Sequence, residues 1–402
     1  NVYSPCYNGS NVYKCVTGSQ HGALTDILLA VDSGDLAMLA LLDLSAAFDT
    51  VDHTILLRRL QQSYGLGGST LLWFRSYLQE RTQFVRCGSA SRSAPTRVRY
   101  GVPQGSVLGP ILFVLYAAGL LQLVMEHGLS PHAYADDVQV YSSCRPGASA
   151  PLQNRVSDCI AEVAIWMRSN RLQLNAAKTE VIWFASARRQ HQLPTVPLVV
   201  GADVVPLVSA VRDIGVHLDS DLTMSTHISK IVAGCFASLR QIRSIRRSVP
   251  RPVLQSLVAA LVVSKLDYGN ATLAGLPAVQ LNRLQTVLNA AARLIFTARK
   301  YEHITPLLRK LHWLRIPERI TFKLATLVYR SQQGTVPQYL SEQLHRVADI
   351  ESRRPLRSSS TAALVVPVTR CSTIGDRAFS VAASRAWNSL PPTVQSAGTL
   401  DL

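Results

Sequence analysis

The sequence predicts an α+β fold in which a mixed first half precedes a mostly helical segment. Its 402 residues are 48% hydrophobic, enough to bury a large core and to suggest two or three domains. Helical and strand patterns alternate through the first half, and from Ser225 to about Arg330 the pattern is mostly helical. The sequence contains no internal repeat.

The elements of the first half follow in order along the chain. An amphipathic helix at 23–31 precedes the continuous apolar strand "LAMLALLDL", which we expect to be buried on both sides and to end on Asp43. Further helices are predicted at 53–63, 70–79 and 152–170, a strand pair at 82–87 and 96–102, and short strands at 180–184, near 198 and near 214. The charge-free run from Val107 to Met125 could cross a membrane by length. Because Gly and Pro interrupt it, we predict instead a central helix buried all round.

Charge and cysteine usage narrow the class of partner. The net charge of +16, from 41 Lys and Arg against 25 Asp and Glu, favours polyanions and above all nucleic acid. Seven scattered cysteines without a C-x-x-C pair indicate neither a disulfide framework nor a zinc site. Together with the lack of a signal-peptide pattern, they predict an intracellular protein.

Two adjacent carboxylates, Asp136 and Asp137, lie in "HAYADDVQVY", which reads as strand, turn, strand. Taken alone, the pair is best explained as an ordinary turn, because Asp hydrogen-bonds its own backbone there. If the hairpin pairs with the strand that ends on Asp43, three carboxylates meet at one edge of a sheet. Such a cluster needs a cation, and oxygen ligands suit Mg²⁺ or Mn²⁺. Two ions about 3.5–4 Å apart would serve in-line phosphoryl displacement, the chemistry of polymerases and nucleases.

Five segments carry a family resemblance. "LLDLSAAFDTVDH", "YGVPQGSVLGPILFVLY", "AYADDVQVY", "NRLQLNAAKTEVIWF" and "DIGVHLDSDLTMSTHIS" occur in the order of reverse transcriptase palm motifs. Their wording resembles that of LINE-type, non-LTR retrotransposons of the jockey and chicken-repeat groups, and the likeness covers nearly the whole chain from Ala23 onward. It implies a right-hand polymerase with partial fingers and palm (1–190), the end of the palm with a primer-grip-like hairpin (191–224), a helical thumb (225–330) and a C-terminal extension (331–402). We expect the chain to be truncated at its N-terminus, within the fingers and without the family's upstream endonuclease.

The same resemblance implies the catalytic residues. Asp43, Asp136 and Asp137 would hold two Mg²⁺ or Mn²⁺ ions, and Lys178 would protonate the pyrophosphate leaving group. For Asp43 the alternative is a helix cap or ion-pair partner. For Lys178 the alternative is an ordinary exposed lysine.

It also implies residues that bind the nucleotide. Phe48 would exclude a ribose 2′-hydroxyl by steric clash, although a core phenylalanine explains it equally well. Gln104 and Gly105 would contact the template base and nucleotide, with glycine allowing close backbone approach. A plain Gly/Pro loop is the alternative for both.

A basic stripe lies near the start of the predicted thumb. Arg240, Arg243 and Arg247 recur at helical spacing, with Arg246 beside them and Arg251 after Pro250. On a thumb, such a stripe would grip the phosphates of primer and template without reading sequence. A solvated basic helix face is the alternative.

By this resemblance the chain is expected to be an RNA-directed DNA polymerase. Its partners would be an RNA template, a DNA primer, the RNA–DNA duplex and deoxynucleoside triphosphates, with no membrane, in a cytoplasmic ribonucleoprotein and in the nucleus. The residues before Ala23 match poorly the family's arginine- and histidine-bearing fingers segment. A catalytically inactive nucleic-acid-binding relic therefore stays open, as does an RNA-dependent RNA polymerase or intron maturase.

Overall fold

The computed structural model describes residues 12–88, 91–200, 203–349 and 363–395, with side chains from residue 22 onward. The elements of its first half are α1 (Val12–Ser33), β1 (Leu36–Leu42), α2 (His53–Gln62), α3 (Gly68–Leu78), β2 (Thr82–Gln83), β3 (Arg86–Cys87), β4 (Ser91–Arg92), β5 (Thr96–Arg97), α4 (Leu108–Glu126), β6 (Ser130–Tyr134), β7 (Asp137–Cys144), α5 (Ser149–Ser169) and β8 (Glu180–Phe184).

The elements of the second half are β9 (Leu198–Val200), β10 (Asp203–Val205), β11 (Ala210–Asp213), β12 (Val216–Asp219), α6 (Ser225–Ile245), α7 (Arg251–Val258), α8 (Ser264–Asp267), α9 (Ala278–Phe296), α10 (Ile304–Lys310), α11 (Ile316–Gln332), α12 (Gln338–Ser341), α13 (Phe379–Asn388) and α14 (Pro392–Gln395). A π-helical turn, Ala259–Val263, joins α7 to α8. The prediction of a mixed first half and a mostly helical segment after Ser225 is confirmed.

A four-stranded antiparallel sheet forms the centre of the first half, in the order β6, β7, β1, β8. Side chains alternate across β1, because successive strand residues point to opposite faces. Met38, Ala40 and Leu42 enter one core with α2, α4 and α5, whereas Ala37 and Leu39 enter a second core with α1 and the later helices. The apolar run is therefore buried on both sides, as predicted.

Local patterns gave most of the other elements. The strand predicted at 180–184 is β8, and the helices predicted at 53–63 and 70–79 are α2 and α3 within two residues. The first helix is longer than predicted and begins at Val12. The predicted strand pair at 82–102 consists of two short ladders, β2 with β5 and β3 with β4, while residues 89 and 90 of its loop lie outside the described residues.

The prediction that the apolar helix is buried all round is wrong. The fully buried residues of α4 form one stripe, Gly109, Leu112, Phe113, Tyr116, Leu120 and Val124. This stripe faces the same core as α2 and α5, and the other sides of the helix are only partly covered. Within the described residues, α4 is the one helix long and apolar enough to span a membrane, judged by length and composition alone.

The segment near the C-terminus packs on the first helix. The Asp32 carboxylate accepts hydrogen bonds from the backbone N–H groups of Arg370 (2.8 Å) and Cys371 (2.6 Å). The backbone N–H of Phe379 donates to Thr25 Oγ1 at 3.2 Å, and α13 packs against α1 and α11. The two ends of the described chain therefore share one hydrophobic core.

Candidate active site

The carboxylates lie at one end of the central sheet. Strands β1 and β7 pair antiparallel up to Leu42 opposite Val138, so Asp43 and Asp137, the next residues, fall opposite each other. Tyr134 pairs with Asp137 across a two-residue turn. Ala135 opens that turn at φ +55°, and Asp136 occupies its second position. The prediction that the strand and the hairpin pair in one sheet is confirmed.

A cavity of about 810 Å³ opens beside this end of the sheet. Asp43 and Asp137 line it from β1 and β7, and Lys178 lines it from the turn before β8. On the opposite side lie Asp213 and the turn Ile214–Gly215, which joins β11 to β12. The region near residue 214, predicted as a short strand, is the turn between strands β11 and β12, and this turn lines the same cavity as the carboxylates.

Negative charge accumulates at the carboxylates. Desolvation raises the pKa of Asp137 above its ordinary value, and the charges of Asp136 and Asp43 raise it further. Lys178 Nζ lies 3.7 Å from Asp43 Oδ2, which makes it the nearest compensating cation. That separation is too long for a hydrogen bond, and the buried Oδ2 atom has no hydrogen-bond partner. Asp43 Oδ2 therefore has only this long ion-pair contact and would lose no hydrogen bond on binding a cation.

The resemblance to reverse transcriptases implies a divalent metal ion at the carboxylates. Three carboxylates are hard oxygen ligands that suit Mg²⁺ or Mn²⁺, and the Asp43 carboxylate lies beside the raised-pKa carboxyl of Asp137. Over the ranges that the structure describes, however, no three His, Cys, Asp or Glu side chains converge closely enough to enclose an ion. The residues fit a metal by chemistry and by strand position, and their side chains are further apart than a closed site requires.

Phe48 and Gln104 lie on two loops that contact each other. The half-buried Phe48 ring lies 5.0 Å from the Phe113 ring of α4, centroid to centroid, so it packs on the core that β1 shares with α2, α4 and α5. Gln104 Nε2 donates to Asp49 Oδ1 at 2.9 Å. Gly101 brings the two loops together, since a Cβ there would lie 2.9 Å from the Phe48 carbonyl oxygen.

The loop before α4 uses glycine where the backbone requires it. Gly105 has φ +78° and open space around it, a conformation that favours glycine. Ser106 Oγ then accepts from the Gly109 backbone N–H at 3.0 Å and caps the first turn of α4. Exposed Gln104 and Gly105 are thus held at the entrance to the helix.

Sequence reasoning missed two buried polar residues behind the carboxylates. The Gln139 amide on β7 donates to the Asp213 carboxylate on β11, and their side chains are 1% and 6% exposed. Burial, and then the charge of Asp137, raises the pKa of Asp213 to about 7. A strand alternates its side chains, so Gln139 shares a face with Asp137 in the quoted hairpin. The two-residue spacing from Asp137 was the signal in the sequence that could have identified Gln139.

Tyr268 was also missed, and it fixes the tip of the β11–β12 hairpin. Its hydroxyl donates to the Ile214 carbonyl at 2.7 Å. Gly215 has φ +81°, and a Cβ there would lie 2.8 Å from the Tyr268 ring. The ring therefore presses directly on the turn that faces the carboxylates.

Residues 13–200 match the family model for "Reverse transcriptase (RNA-dependent DNA polymerase)". This segment is a reverse transcriptase domain. The resemblance to LINE-type, non-LTR elements is confirmed by relatives that include three proteins from Drosophila melanogaster. The chain is 28% identical to "Probable RNA-directed DNA polymerase from transposon BS" over 75% of this chain and 33% of the relative. It is 32% identical to "Probable RNA-directed DNA polymerase from transposon X-element" over 71% of this chain and 31% of the relative. It is 30% identical to "RNA-directed DNA polymerase from mobile element jockey" over 52% of this chain and 23% of the relative.

The chain spans about a third or less of the length of these curated relatives. Among solved structures, telomerase from Candida albicans with a fragment of telomeric RNA superposes with a TM-score of 0.34 at 12% identity, over 81% of this chain and 52% of that chain. That likeness is too low to carry an argument.

The predicted arginine stripe lies beyond the reverse transcriptase domain. Arg240 and Arg243 are exposed on the last turns of α6, next to its buried Leu239 and Ile242. Arg246 and Arg247 continue the helix in a 3₁₀ turn, and the Arg251 guanidinium lies 4.0 Å from the centre of the Phe296 ring. The structure places these residues on a helix surface, outside the carboxylate cavity.

Proposed function

We propose that this chain is an RNA-directed DNA polymerase, which adds deoxynucleotides to a primer 3′-hydroxyl on an RNA template. The observation that carries the proposal is the position of Asp43, Asp136 and Asp137 at one end of the sheet inside a reverse transcriptase domain, where Asp43 and Asp137 line a large cavity. The family match and the names of the relatives support the same chemistry.

In this proposal the three aspartates hold two Mg²⁺ or Mn²⁺ ions. When bound, the ions would stabilise the attacking and leaving oxygens of an in-line displacement at the α-phosphate. Lys178, exposed and 3.7 Å from Asp43, can leave that weak ion pair and donate a proton to the pyrophosphate. Once the lysine has moved away, Asp43 Oδ2 is available to a metal ion.

The nucleotide would enter past Phe48, Gln104 and Gly105. Phe48 is held by the Phe113 ring, so it has the rigidity that a steric gate against a 2′-hydroxyl needs. Gln104 is exposed, and its bond to Asp49 holds the amide near the turn that bears Phe48. Gly105 leaves open space for close approach to the backbone.

The partners proposed for the chain are an RNA template, a DNA primer and the duplex that they form. This duplex would be contacted at its phosphates by a basic surface on a chain with net charge +16, which consists of half-buried Arg246 and the exposed Arg240, Arg243, Arg247 and Arg251. We also propose that it acts inside the cell, in a cytoplasmic ribonucleoprotein and in the nucleus.

Primer extension on poly-rA/oligo-dT with Mg²⁺ or Mn²⁺ tests the activity. Wild type should extend the primer, Asp136→Ala should reduce extension to background, and Asp203→Ala, at an exposed position in β10, should behave as wild type. No extension by folded wild-type protein would contradict the proposal and favour a nucleic-acid-binding relic. Preference for ribonucleotides would favour an RNA-dependent RNA polymerase.

A further inference from the structure

A second surface with the character of a nucleic-acid site lies in the segment 72–100. Five large apolar side chains are exposed along it: Leu72 62%, Trp73 51%, Phe84 44%, Val85 74% and Tyr100 56%. Isolated exposed apolar residues are common, but such a concentration within one short segment indicates an interaction surface. None of these residues lines the carboxylate cavity.

Two exposed aromatic rings of this segment, Trp73 and Phe84, each stack on a neighbouring side chain. On α3, the Trp73 and Tyr77 rings lie parallel, with centroids 5.4 Å apart and 10° between their planes. Phe84 lies between β2 and β3, and the Arg92 guanidinium on β4 lies 3.4 Å from the centre of its ring. Stacked rings and ring–guanidinium pairs are the two arrangements that also hold unpaired bases.

The charge of the segment selects the partner. It carries six arginines and one glutamate: Arg75, Arg81, Arg86, Arg92, Arg97, Arg99 and Glu80. Among the residues that the structure describes, none of these arginines forms a salt bridge with a carboxylate. Unneutralised arginines interleaved with exposed rings complement a chain of phosphates and bases, whereas an apolar protein partner would leave the charges without compensation.

We propose that exposed aromatic and basic side chains in residues 72–88 and 91–100 bind single-stranded RNA without reading its sequence. Bases would stack on Trp73 and Phe84, and phosphates would pair with the surrounding arginines. The short ladders β2–β5 and β3–β4 hold Phe84 and Arg92 together through the backbone and leave their side chains exposed. Single strands are favoured over duplex because stacked pairs in a duplex offer no free base face.

Fluorescence anisotropy with a labelled oligo-U tests this site in the full chain, in EDTA and without nucleotides. Because no synthesis is needed, the result is independent of the proposed polymerase activity, and an inactive chain would still bind. Alanine at both Trp73 and Phe84 should weaken binding at least about 5-fold, the low end for loss of one stacked base. Trp73→Phe keeps a stacking face and should bind nearly as wild type. Phe322→Ala, which removes a ring 62% exposed on α11, is the matched control.

The arginines make a second, independent prediction. Replacing Arg86 and Arg92 by Gln should lower the slope of log K against log salt by about 1.4, because each phosphate that an arginine neutralises on a single strand contributes about 0.7 to that slope. Arg309→Gln, at an exposed arginine on α10, should leave the slope unchanged. All the replaced side chains are exposed, and circular dichroism melting verifies that each variant is folded.

Three results would overturn the proposal. They are wild-type protein that does not bind oligo-U, folded aromatic variants that bind within two-fold of wild type, and equal affinity for duplex RNA and the single strand. Unchanged RNA binding together with loss of self-association in the aromatic variants would assign the surface to a protein interface instead.

Discussion

Asp213→Asn tests the electrostatics behind the carboxylates directly. The Asp213 side chain is 6% exposed, and burial with the charge of Asp137 raises its pKa from 3.8 to about 7. A carboxyl that binds its proton more tightly when folded contributes stability that is complete below pH 3.8 and is lost as pH rises through about 7. At about 1.36 kcal/mol for each pKa unit, ionised Asp213 costs the folded chain about 4 kcal/mol at pH 8.

Asparagine removes the titration and retains the hydrogen bond. Its carbonyl can accept from the Gln139 amide, and its own amide can donate to Gln139 Oε1, which is buried without a hydrogen-bond partner. The variant should therefore gain free energy of unfolding relative to wild type, and the gain should grow by about 2.5 kcal/mol between pH 5 and pH 8.

Urea denaturation at pH 5 and pH 8 measures this difference. EDTA is included so that no bound divalent cation offsets the charge of Asp137, which contributes to the raised pKa of Asp213. Asp203→Asn, at an exposed position, should show no comparable growth with pH. An advantage of Asp213→Asn that is the same at both pH values would refute the buried-charge explanation, even if the variant were more stable.

Three further predictions concern Gly101, Phe48 and Asp32, with Gly67→Ala as the control for the first. Gly101→Ala should lower the free energy of unfolding by more than about 2 kcal/mol, since φ is +87° and the Cβ would lie 2.9 Å from backbone. Gly67→Ala, with nothing within 4 Å, should change it by less than about 1 kcal/mol in the same urea titration. Phe48→Val should admit ribonucleotides in primer extension, and unchanged exclusion would remove its gate function. Asp32→Ala should cost about 2 kcal/mol and accelerate proteolysis of 363–395, because two backbone N–H groups lose a charged acceptor; unchanged cleavage would contradict this.

The sequence predicted the sheet and its carboxylates because their signals are local. The apolar run before Asp43 and the strand–turn–strand pattern around Asp136 can each be recognised from neighbouring residues alone. Asp213 carried no such signal, since only the folded chain brings it 74 positions back to Gln139. The hydrogen bonding of the C-terminal segment to Asp32 spans 338 positions and was equally invisible.

The error about α4 has a similar origin. Its hydrophobic run is continuous, so composition could not reveal which side faces the core. The structure resolves the question through Tyr116, whose hydroxyl donates to the Asn170 carbonyl at the end of α5. That hydrogen bond and the packing around it orient one face inward, while the remaining apolar side chains stay partly covered.

Strand β7 shows how the site is held in place. Val138 and Val140 point into the core with α2, α4 and α5, whereas Asp137, Gln139 and Tyr141 occupy the other face. Gln139 is bonded to Asp213 on β11, and the Tyr141 hydroxyl donates to Asp26 on α1 at 2.7 Å.

Burial, and then the charge of Asp26, raises the pKa of Tyr141 well above its usual range, so this hydroxyl remains a donor throughout the physiological range. Asp137 thus begins a row of three polar residues on this face of β7, and the other two are hydrogen-bonded to separate parts of the chain. Because both ties hold the same strand, displacement of either α1 or the β11–β12 hairpin would move the Asp137 carboxylate relative to Asp43. The position of the Asp137 carboxylate therefore depends on hydrogen bonds between its strand and residues that lie far from it in sequence, and the two neighbouring aspartates alone do not determine it.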